Sequence, residues 1–92
     1  MKHNEKMLYQ ATDEILFYLW DPIGVKDIPA ARDEYRSYLP GVFKLLLADA
    51  KDSEIAKYLT KVESTSMGLS ESPQHALDIA RTLIEAKDWY FE

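Results

Sequence analysis

With 92 residues, the chain is too short for two ordinary domains and just long enough for one hydrophobic core to stand without metal or disulfide staples. Hydrophobic residues at 47% and charged ones at 29%, against only three glycines and four prolines, argue against a disordered chain or a turn-rich β-sandwich and for a helical domain. The lack of cysteine removes disulfides, thiolate metal sites and cysteine nucleophiles, and the formal net charge of −5 opposes binding to nucleic acid while favouring a basic partner.

The first element runs from about His3 to Trp20, where Met7, Leu8, Ala11, Ile15, Leu16 and Leu19 recur at three- and four-residue intervals along one helical face. Gln10, Thr12, Asp13 and Glu14 interrupt any long apolar run, so neither a signal peptide nor a membrane span is expected, and the cytoplasm is the expected compartment. Asp21-Pro22-Ile23-Gly24 has the composition of a type I turn, and Pro22 disfavours helical geometry at Asp21. A connector continues to Pro29.

Residues Ala30 to Tyr38 are read as a short helix, with Pro29 suited to its first turn and Pro40-Gly41 breaking it. Pro40 to Ala50 follows as a buried helix with Val42, Phe43, Leu46 and Leu47 in its stripe and Leu45 widening it. Asp52 is expected to cap the next helix through a backbone N–H near Glu54 or Ile55; Ile55, Tyr58, Leu59 and Val62 face inward, and Gly68 ends it. Ser72-Pro73 opens the last helix, whose face is Ala76, Ile79, Ala80, Leu83 and Ile84 and which extends to about Trp89. Short links favour antiparallel neighbours. The expected fold is therefore all-α, one domain over residues 1–92, an irregular antiparallel four-helix bundle with a Pro/Gly-containing connector.

Catalytic signatures are missing. Only His3 and His75 could supply imidazole, far apart in the chain, so no metal site or cofactor is expected, and His75 is read as exposed in a first helical turn. No Gly-rich phosphate loop, dinucleotide fingerprint or Gly-x-Ser-x-Gly elbow occurs. The pairs Asp13-Glu14 and Asp33-Glu34 point in different directions on a helix, and Ser64, Thr65 and Ser66 have a capping or solvent-facing explanation. Basic residues are interspersed with acids and form no stripe, against a nucleic-acid binder.

The stretch Asp33-Glu34-Tyr35-Arg36-Ser37-Tyr38 combines acids, which can receive arginine or lysine, with tyrosines, which supply apolar area and a polar tip. Asp33, Glu34, Tyr35 and Tyr38 are thus the candidate partner-binding residues, with Asp13 and Glu14 as possible neighbours. The alternative packs both tyrosines beneath the connector. Trp20 is read as a core lid, and the aromatic run Trp89-Tyr90-Phe91 as docked on the bundle, with homodimerisation as its alternative.

Trp20-Asp21-Pro22-Ile23-Gly24, Asp33-Glu34-Tyr35 and Ser37-Tyr38-Leu39-Pro40-Gly41, followed by Glu54-Ile55-Ala56-Lys57-Tyr58-Leu59 and Ser66-Met67-Gly68-Leu69, resemble a group of small bacterial helical proteins. Some of that group are similar to immunity proteins of contact-dependent growth inhibition systems. The resemblance implies a non-enzymatic protein that neutralises a cognate toxin domain, in many cases a nuclease, by stoichiometric binding. A small structural or regulatory homodimer and an enzyme with a buried pocket are the competing readings.

Overall fold

Every regular element in the computed structural model, which describes Met1–Glu92, is helical, with four α-helices and no strand. Helix α1 spans His3–Glu14 and continues as a wider π-helical segment over Ile15–Trp20. Helices α2 (Leu39–Leu47), α3 (Asp52–Lys61) and α4 (Pro73–Tyr90) follow, and a second π-helical segment, Val62–Ser66, extends α3. None is long and apolar enough to cross a membrane.

The expected first helix thus exists, but its last turns are widened: the Asp21 N–H donates to the Leu16 carbonyl at 3.1 Å, five residues back. This spacing rotates the stripe. Phe17 and Trp20 are buried with Leu8 and Leu16, whereas Leu19, expected inside, is 52% exposed. The segment Ala30–Tyr38 is not an α-helix. After a 3-10 turn at Pro29–Ala31, bonds such as Glu34 N–H to Ala31 and Tyr38 N–H to Tyr35 close three residues back, giving a chain of tight turns.

Helix α2 buries Leu39, Val42, Phe43 and Leu46, but Leu47 lies on its outer side. It ends with Asp49 at φ +57°, the Asp49 N–H bonding to Leu46 and the Ala50 N–H to Leu45, the paired bonds of a Schellman stop. Asp52 is the first residue of α3 rather than its cap: one carboxylate oxygen accepts the Ser53 N–H at 2.7 Å and the other meets Arg81 Nε on α4 at 3.1 Å. Gly68, at φ +67°, follows the second π segment as the expected terminator. Helix α4 buries Ala76, Ile79, Ala80 and Leu83 and packs chiefly on α3 and α1. Burying each such aliphatic side chain is worth about 1.5–3 kcal/mol for the larger ones, and this shared core holds the helices together.

The Trp-Asp-Pro-Ile-Gly run is organised by Asp21, which closes α1 at φ +35°. Its carboxylate accepts the Val25 N–H at 2.8 Å, the Lys26 N–H at 3.2 Å and the Tyr35 hydroxyl at 2.7 Å. The Tyr35 oxygen in turn accepts the Ile23 N–H at 3.0 Å, so one side chain fixes both ends of the connector. The Tyr35 ring packs on Trp20 and Phe17 with centroids 5.3 and 6.3 Å apart.

Trp20, 1% exposed, is the core lid expected of it. Its indole N–H donates to Glu63 Oε2 at 2.9 Å, and Glu63 Oε1 accepts the Ser72 N–H at 3.2 Å. Glu63 therefore joins the end of α1, the extension of α3 and the start of α4. At the C-terminal end the docking expectation holds only in part: Tyr90 and Phe91 pack partly buried against the core, while Trp89 is 72% exposed.

Candidate partner-binding face

Because the inward face of α1 uses Leu8, Thr12, Leu16 and Trp20, the residues between them are left on the outside. Ala11, Glu14, Ile15, Tyr18 and Leu19 line a shallow groove of about 250 Å³ along this outer side. Tyr18 is 47% exposed and Leu19 52% exposed, so the stripe carries apolar area that no other part of the chain covers. Ile23 and Ile28 on the connector are likewise exposed.

The chain of turns is pinned beside this stripe by Arg32. Its guanidinium forms a two-pronged pair with Asp13, at 3.2 Å from Nη1 to Oδ1 and 3.0 Å from Nη2 to Oδ2. The same group lies 4.9 Å from the Phe17 ring centroid and 5.4 Å from that of Tyr18. Such planar, bidentate and stacked placement is the geometry for which arginine is suited. The hydrogen bonds that Arg32 donates to Asp13 raise its pKa above the ordinary value against the opposing effect of burial, with further support from the charge of Asp13 and, more weakly, those of Tyr18 and Glu14. Arg36 Nε adds a longer contact to Asp13 at 3.7 Å.

Of the six residues singled out in the sequence, the structure divides the roles. Asp13 is spent on Arg32 and Arg36 and acts as an internal strut. Tyr35 is only 2% exposed, and its hydroxyl is committed to Asp21, so it holds the connector and offers no contact area, a correction to its place in the candidate set. Burial first, and then the hydrogen bond to Asp21, pushes its pKa upward. Tyr38 is half-buried, its ring edge-on to Trp20 at 6.3 Å. Glu14, Asp33 and Glu34 are exposed and form no ion pair. The alternative reading, tyrosines packed beneath the connector with the acids in water, is realised for Tyr35, Asp33 and Glu34, while Tyr38 is half-buried beside Trp20.

Sequence reasoning placed Leu19 inside, because its position fits the α-helical stripe before the π-helical segment rotated it, and assigned Tyr18 to neither face. It also missed Glu63, a 2% exposed carboxylate. A signal existed: Glu63 continues the four-residue spacing of Ile55 and Leu59, an acid placed on an apolar stripe. No three His, Asp or Glu side chains are grouped to hold a metal ion. Compared with family models, curated proteins and solved structures, the chain matches none.

Proposed function

We propose that the protein is an immunity protein that binds a basic toxin domain, a nuclease by class, through the acid-flanked apolar stripe of α1, and so neutralises it one to one. The observation that carries this reading is the groove of α1 lined by half-buried Ile15, exposed Tyr18 and Leu19 and the acid Glu14, with Asp33 and Glu34 exposed on the chain of turns that Arg32 pins to α1, three acids left without an internal cation. Protein interfaces combine an aromatic and aliphatic centre with a charged rim, and acids on such a rim steer a basic partner and quicken its association. The net charge of −5 works in the same direction. The toxin enters as partner from the resemblance of the Trp20–Gly24, Asp33–Tyr35 and Ser37–Gly41 segments to a group of small bacterial helical proteins, some of which are similar to immunity proteins. The four helices are read as an irregular antiparallel bundle that acts as a rigid, non-enzymatic scaffold for this face in the cytoplasm.

A tagged chain expressed in the cells that naturally carry it should retain one basic toxin fragment in equal stoichiometry. Reversing charge with Asp33→Lys and Glu34→Lys should slow that association and reduce its salt dependence while the helical circular dichroism stays unchanged. An unchanged association rate removes these acids from the face. A homodimer is the second reading, favoured by Trp89 at 72% exposure beside partly buried Tyr90 and Phe91; recovery of this chain alone would turn the assignment to it.

A further inference from the structure

A separate cleft of about 360 Å³ opens where α1 ends and α4 begins, lined by Trp20, Glu63, Leu69, Ser70, Ser72 and His75 among others. None of these residues belongs to the proposed partner face. Glu63 lies at its floor, 2% exposed and outside every ion pair of the chain. Buried carboxylates are ordinarily paired with a cation or ligate one. This one accepts two hydrogen bonds, from the Trp20 indole and the Ser72 amide, which leaves about half of its roughly four acceptor positions open.

The helix ends do not neutralise it. The start of α4 contributes about half a positive charge, but the end of α1, whose Trp20 carbonyl reaches the same cleft, contributes about half a negative one. The two partial charges act in opposite directions. Asp21 lines the rim and adds negative potential. His75 Nε2 sits 3.0 Å from the Trp20 carbonyl oxygen, which can only accept, so Nε2 donates there. The cleft therefore gathers acceptors and negative charge around one opening, with no lysine or arginine in its lining.

We infer that this cleft is a binding site for an alkylguanidinium group, seated on the open positions of Glu63 and flanked by His75. A planar guanidinium carries donors in a fixed fork that matches a carboxylate, stacks on flat rings, and is weakly enough hydrated to enter a partly closed site. The ligand is either a free arginine-like small molecule or an arginine side chain on a polypeptide; the recognising chemistry is the same.

The Trp20 indole N–H provides a direct report, because it donates to the carboxylate that the ligand would engage, while the exposed indole of Trp89 serves as an internal reference. Titrating the ¹⁵N-labelled protein with N-acetyl-arginine amide should move the Trp20 indole resonance in a saturable manner and leave that of Trp89 in place. N-acetyl-citrulline amide, of equal shape without charge, should have no such effect. Glu63→Gln should weaken binding about tenfold or more, as expected for loss of a charge-assisted pair. Should that variant not fold, Ser70→Arg, which tethers a guanidinium at the cleft wall, should block the probe, whereas Ser70→Gln should not. A Trp20 resonance that stays fixed, or that responds equally to the citrulline probe, overturns the site. Tighter binding of the capped arginine than of free L-arginine assigns a polypeptide source, and the reverse order a free small molecule, with the guanidinium site supported in either case.

Discussion

Replacing Tyr35 with phenylalanine removes one oxygen and keeps the ring. That oxygen donates to Asp21 at 2.7 Å and accepts the Ile23 N–H at 3.0 Å, so two connector contacts are lost together. A hydrogen bond to a charged group contributes about 1.5–3 kcal/mol, and the half-exposed Ile23 amide recovers much of its own loss from water, which places Tyr35→Phe near 2 kcal/mol. For a chain of this size the melting temperature should fall by about 8–16 °C, read by circular dichroism at 222 nm. The alkaline limb should change as well. Burial and the Asp21 hydrogen bond raise the folded-state pKa of Tyr35 above its ordinary value of 10.0, so its contribution is complete below about pH 10 and is lost as the pH rises towards the folded value. Wild type should therefore lose stability above pH 10 more steeply than Tyr35→Phe. A variant melting within about 2 °C of wild type, with the same alkaline limb, would refute the claim that this hydroxyl holds the connector.

Leu46→Ala removes a side chain that is 2% exposed. It should lower stability by about 2–5 kcal/mol, read as a shift of the urea midpoint. Arg81 and the Ser53 amide depress the Asp52 pKa, so the stability this pair adds is present at neutral pH and fades as pH falls below the ordinary carboxylate range; Arg81→Ala should flatten that limb slightly, with less effect in high salt. Trp89→Ala should leave the fold intact and, if two copies associate through the exposed end of α4, abolish any concentration dependence of the mass measured by light scattering. Tyr18→Ala with Leu19→Ser should weaken binding to a captured partner through faster dissociation while leaving the melting temperature close to that of wild type.

Much of the helical order was legible because core periodicity is a local signal. The stripes of α2 and α4, the break at Asp21-Pro22 and the stop at Gly68 all follow from residues within a few positions of one another. The end of α1 was not legible in the same way: five-residue hydrogen bonding rotated Leu19 outward and Phe17 inward, and nothing in the apolar spacing marks where that widening begins. The turns at Ala30–Tyr38 replaced a helix because Tyr35 and Arg32 are drawn to Asp21 and Asp13, partners far back in the chain. Asp33, Glu34 and Glu14 are exposed, as charged residues outside an apolar stripe are expected to be. Tyr35 was placed on the wrong side because its hydroxyl partner cannot be inferred from composition.

The bonds around Trp20 also bear on how long the folded state persists. Its indole reaches Glu63 across 43 residues and its carbonyl meets His75 across 55, so neither contact can form until α1, α3 and the start of α4 have come together. Closing spans of that length costs chain entropy before any bond rewards it, and these contacts are expected to be completed late on the folding path, a placement that the folding and unfolding rates of Trp20→Phe would test. Contacts formed after the barrier leave the refolding rate nearly untouched and govern the rate of escape. Trp20 and Glu63 thus act as a latch in time: weakening it should shorten the lifetime of the native chain, and its susceptibility to proteases and aggregation should rise accordingly, even where refolding remains as fast as before.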